Sequence, residues 1–164
     1  MLGLSLSTFT TVHVVISLIG IASGLVVLWG MLGSQRMPGL TAIFLLTTVL
    51  TSVTGFMFPF NGLLPSHIVG GISLVVLAVA LIALYAFRLR GAWRWVYVVT
   101  AVVALYFNVF VGVAQAFQKF AVLQRLAPSQ SDPPFIVAQT VVLALFLWLG
   151  YLAVRRFHPA PAAA

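Results

Sequence analysis

The most constraining stretch of this chain is residues 66–87. Ser66, a residue type that starts helices, is followed by His67. Twenty residues without a charge come next, rich in Leu, Val, Ile and Ala, before Arg88 and Arg90 close the run. At a rise of about 1.5 Å per residue, a helix of this length crosses a hydrocarbon core of about 30 Å. Similar stretches near residues 8–32, 40–60, 95–117 and 134–154 bring the predicted spans to five. Only 5% of the residues are charged and 63% are hydrophobic. A soluble domain carries about 25% charge, so lipid must be the solvent for much of this chain. The predicted fold is an all-α integral membrane protein: one domain over residues 1–164, folded as a five-transmembrane-helix bundle.

The connections fit that reading. Residues 33–39 are dense in helix breakers, and residues 61–65 form a short uncharged loop after Pro59. A basic, tryptophan-flanked loop covers residues 88–95, as expected at a headgroup layer. Residues 119–134 are the longest and most polar connection, and residues 120–126 within it either extend the fourth span or lie along the interface. Asp132 reads as the cap of the fifth span, with Pro133 in its first position. The tail, residues 157–164, reads as frayed. No Lys or Arg precedes the first apolar run, so the N-terminus does not resemble a cleaved signal peptide.

Charge sets the expected orientation. Arg36, Arg88, Arg90, Arg94, Arg155 and Arg156 fall on one side and Lys119 and Arg125 on the other, six against two. By the positive-inside rule the N-terminus is outside and the C-terminus cytoplasmic. The formal charge of +7 therefore reports topology, and nucleic acid is not an expected partner.

Polar side chains inside the spans are where chemistry would sit. His13 falls roughly 6–8 Å below the outer end of span one, and His67 at the outer start of span three. Ser17 follows His13 at helical spacing, with Gly20 and Gly24 on the same face. Thr51 and Thr54 on span two, Asn108 and Gln115 on span four, and Gln139 on span five complete an outer-leaflet polar cluster. Two imidazoles at matched depth, flanked by Gly and Ser, are what a bis-histidine haem b needs. His13 and His67 are thus candidate axial ligands, with Lys119 and Arg125 near the propionates. The plainer reading is that both are interfacial residues hydrogen-bonded to neighbours, and that the Ser, Thr, Asn and Gln side chains join helices. A pocket for a quinone, lipid or small ligand is the third reading.

Absences exclude more. Asp132 is the only acidic residue, so no intramembrane carboxylate is available for a proton relay. There is no cysteine, no buried Lys for a Schiff base, and no phosphate-loop, zinc-protease or nucleophile-elbow motif. No metal site beyond a haem iron and no catalytic residue is expected.

LTTVLTSVTGF (residues 46–56), LPSHIVG (64–70) and ALYFNVFV (104–111) resemble small integral membrane proteins of proteobacteria. That resemblance implies a multi-pass protein of the bacterial inner membrane and no particular activity. The arrangement of His13 and His67 is more loosely similar to b-type membrane cytochromes and to haem A synthase, which carry more intramembrane histidines and longer motifs. The expected function is an accessory or structural membrane subunit, not an enzyme, working with the bilayer and with other membrane proteins. The alternatives are a haem b or quinone-linked electron carrier and a small-ligand or lipid transporter.

Overall fold

The computed structural model describes residues 5–58 and 65–159. Every element among them is helical: α1 (Leu6–Leu32), α2 (Pro38–Gly55), α3 (Pro65–Leu81), α4 (Trp93–Lys119), α5 (Ala121–Leu126) and α6 (Pro133–Arg156). A π-helical turn, Ile82–Ala86, completes α3. Five helices, α5 excluded, are long and apolar enough to cross a membrane.

Local chemistry sets the ends. Ser5 caps α1 by accepting the Thr8 amide at 3.2 Å, and Pro38 and Pro133 open α2 and α6, where a missing N–H costs nothing. Ser66 lies inside α3, which already begins at Pro65, so it is not the cap the sequence suggests. The residues before it, 59–64, including the Pro59 expected to end span two, lie outside the described residues. Within the described residues α2 ends at Gly55, giving 18 residues, or about 27 Å. Asp132 stands at the cap position of α6, but its carboxylate accepts the Ser129 amide at 2.7 Å instead of an amide of the helix. Residues 120–126 neither continue α4 nor stay irregular. Phe120 takes an extended conformation (φ −88°, ψ 117°), and the separate short helix α5 follows.

The spans alternate in direction. The C-terminal ends of α1, α3 and α6 meet the N-terminal ends of α2 and α4, and this basic end carries Arg36, Arg88, Arg90, Arg94, Arg155 and Arg156. At the opposite, histidine end, His13 contacts Thr54 and Phe58 while His67 contacts Phe56. Helix α4 touches every other helix and is the hub of the bundle. Small residues make this packing close. Ala80 and Ala83 on the α3 side and Ala101 and Ala104 on α4 are buried in one core with Leu77, Val98, Leu105, Phe44 and Leu45. Lipid tails are as apolar as leucine, so shape fit, not burial from water, holds such helices together. Gly24 marks the tightest crossing: a Cβ there would meet Leu105 at 2.5 Å and Phe44 at 2.8 Å.

All four tryptophans lie toward the basic end: Trp29, Trp93 and Trp95 in the terminal turns of α1 and α4, and Trp148 about two turns before the end of α6. Trp29, Trp95 and Trp148 are exposed, as are Tyr85 and Tyr151 beside them. This is the pattern of an interfacial aromatic belt, present at one end of the bundle.

Candidate functional site

The predicted outer polar cluster resolves into separate contacts. His13 Nδ1 lies 2.7 Å from Thr54 Oγ1. The Thr54 hydroxyl also reaches the Leu50 carbonyl at 2.6 Å; when it donates there, its oxygen is left to accept from the Nδ1–H tautomer of His13. Phe58 stands edge-on to the imidazole at 5.2 Å. Ser17 donates to the His13 carbonyl at 2.7 Å, within its own helix. Asn108, buried at mid-depth, donates to Thr48 Oγ1 at 3.0 Å, and Thr48 donates to the Phe44 carbonyl at 2.7 Å. Gln139 Nε2 donates to the Phe110 carbonyl at 3.0 Å, joining α6 to α4. Gln139 Oε1 and Thr51 Oγ1 are buried and lack a hydrogen-bond partner. Gln115 is exposed.

The histidines are not brought into one contact group. His67 packs its ring against Phe56 at 5.7 Å, and His13 lies with Thr54 and Phe58. Helix α2 packs against both α1 and α3, which have no extended packing with each other. A macrocycle ligated by both imidazoles would share this end with Phe56 and Phe58. Among the described residues there is no cluster of three or more His, Cys, Asp or Glu side chains.

Sequence reasoning did not point to a cavity. A cavity of about 300 Å³ opens at the basic end, between α1, α2, the π turn and α4. Thr41, Met31 and Tyr97 line its buried part, and Arg36, Arg88 and Tyr85 its rim. A second cavity, about 50 Å³, lies between Phe117 and the 124–130 segment. Neither is lined by Thr51, Thr54, Asn108, Gln115 or Gln139.

The backbone around the larger cavity is unusual. Phe87 donates to Ile82, five residues back, and Leu89 to Ala83, six back. That wide turn drives Arg88 (φ 50°) and Leu89 (φ 61°) into the left-handed region, where helix ends normally place glycine. For residues with a Cβ this costs about 1–2 kcal/mol each. Across the cavity, Ser34 (φ 56°) closes α1 the same way, with Gln35 donating to the Gly30 carbonyl at 2.8 Å. π turns and left-handed non-glycine residues concentrate at functional sites, and here they are adjacent.

The C-terminal segment, expected to be frayed, braces this end through His158. Arg94 donates to the carbonyls of Val154 at 3.1 Å and Phe157 at 2.6 Å, and the His158 amide donates to Ser34 Oγ at 2.8 Å. Phe157, buried to 3% exposure, forms part of the cavity wall. The guanidinium satisfies carbonyls that the end of α6 leaves open, and this order follows from it. Comparison of the chain with protein-family models, with curated proteins and with solved structures found no match.

Proposed function

We propose that the chain is a non-enzymatic, multi-pass protein of a bacterial inner membrane, acting by association as an accessory or structural subunit. One observation carries this reading: the intramembrane polar groups mostly join helices or bond their own helix. His13 is engaged with Thr54, Asn108 with Thr48, and Gln139 with the Phe110 carbonyl. Ser52 and Ser73 make a longer contact, 3.4 Å, between α2 and α3. Bonds of this kind fix helix register. The charge asymmetry supports an orientation with the basic end cytoplasmic.

Purification in mild detergent tests the association. The protein should elute as a homo-oligomer or with a membrane partner that chemical crosslinking captures in intact cells. A monodisperse monomer that carries nothing and crosslinks to nothing would overturn the proposal. Because the chain has no cysteine, orientation can be read from single introduced thiols. Gln130→Cys should react with an impermeant maleimide in intact spheroplasts, and Gly91→Cys only after lysis.

The haem reading keeps one supporting observation. In the tautomer that donates Nδ1–H to Thr54, His13 presents Nε2 as a lone-pair donor, the arrangement that orients metal-bound imidazoles.

A further inference from the structure

We propose that the cavity at the basic end binds the phosphate of an acidic amphiphile, with Arg36 and Arg88 taking the phosphate and the Met31–Leu84 wall taking the first apolar carbons. Four observations bear on this. First, the cavity, about 300 Å³, is at the small end of the range for ligand sites, and it is apolar in depth and cationic at its rim. Second, its two arginines have no acidic side chain to pair with. Asp132, the only carboxylate side chain in the chain, sits beyond α4 and α5, in the connection into α6 at the opposite end. An arginine fork is the side chain best matched to phosphate oxygens. Third, Arg88 holds its place through a left-handed backbone that a glycine would adopt without strain. Fourth, the rim coincides with the belt of exposed Trp29, Trp95, Trp148, Tyr85 and Tyr151, which sets it at headgroup depth. Basic pockets between helices at that depth are the chemistry that captures anionic headgroups.

The placement of Arg88 makes the test selective. Replacing it with glycine removes the guanidinium and relieves the backbone, so Arg88→Gly should be at least as thermally stable as the parent in detergent without added lipid. Arg36→Gln removes the second cation from an exposed loop. Arg90→Gln is the control, because Arg90 is exposed at the same end but does not line the cavity.

Native mass spectrometry of the full chain, titrated with dioleoylphosphatidylglycerol, dioleoylphosphatidylcholine or inorganic phosphate, reads the binding. The expected result is one phosphatidylglycerol retained at least tenfold more tightly than phosphatidylcholine. Arg36→Gln and Arg88→Gly should each lose roughly tenfold, and Arg90→Gln should match the parent. If millimolar inorganic phosphate displaces the lipid, and binds the parent but neither cavity variant, the phosphate site stands with the free anion as its ligand. Equal retention of the two lipids, or unchanged phosphatidylglycerol binding in both cavity variants, overturns the proposal.

Discussion

Gly24→Ala adds one methyl group at the crossing of α1 with α2 and α4. The new carbon would stand 2.5 Å from Leu105 Cδ1 and 2.8 Å from Phe44 Cδ2. Carbon atoms rest at about 3.5–4.0 Å, so roughly 1 Å of separation must be found at each contact. Side-chain rotation does not supply it, because Phe44 and Leu105 are each 1% exposed. Overpacking a filled core costs about 1–3 kcal/mol. Against that, alanine narrows the unfolded ensemble and returns about 0.4–1 kcal/mol. The net expectation is a loss of about 0–2.6 kcal/mol, centred on about 1.3. Gly39→Ala has the same effect on the unfolded state with nothing within 4 Å of its Cβ, so it should gain about 0.4–1 kcal/mol. The difference between the two variants isolates the clash. It is measurable as the shift in midpoint when helicity is followed by circular dichroism during SDS titration of the detergent-solubilised protein. Two variants of equal stability, within about 0.5 kcal/mol, would show that α1 does not approach α2 and α4 as closely as described.

Two further predictions concern bonds between elements. In a Thr48→Val, Asn108→Leu double-mutant cycle, the coupling should be about 0.6 kcal/mol and no more than about 1.7, the range for hydrogen bonds between membrane helices; zero coupling would mean that the two side chains do not meet. Arg94→Gln should release the C-terminal segment from the basic end, seen as faster tryptic cleavage after Arg155 and Arg156 with the far-ultraviolet spectrum unchanged. Cleavage at the parental rate would remove the clamp role assigned to Arg94.

The spans were legible because their signal is local. Apolar length and the sparse charges locate α1, α3, α4 and α6, and Pro133 marks the start of α6 from sequence alone. What was not legible depends on where helices meet. Nothing in the pattern of residues 66–87 says that α4 would be the hub; that place follows from Ala101 and Ala104, small enough to admit α3 closely. The side-chain partner of Asp132 was misread because a cap position fixes the backbone, while the carboxylate turned to the Ser129 amide instead. The polar cluster was incomplete as a set of partners. It named Asn108 without its acceptor, Thr48, and it omitted Ser52 and Ser73. The cavity at the basic end had the weakest signal. Arg36 and Arg88 were counted as charges for topology, and the left-handed turn that sets Arg88 on the rim occurs at a position where the sequence offers no glycine. The clustering of Trp29 and Trp148 with Trp93 and Trp95 was the one hint available.

The most direct test of whether the intramembrane polar groups serve to join helices is an absorption spectrum. The detergent-purified protein, expressed in haem-replete cells, would be recorded before and after dithionite. If His13 is engaged only with Thr54 and His67 only with its protein neighbours, the visible spectrum will be featureless in both states. A Soret band that shifts on reduction, with sharp α and β bands that His13→Ala and His67→Ala each abolish, would contradict that reading and make the histidine end a haem site.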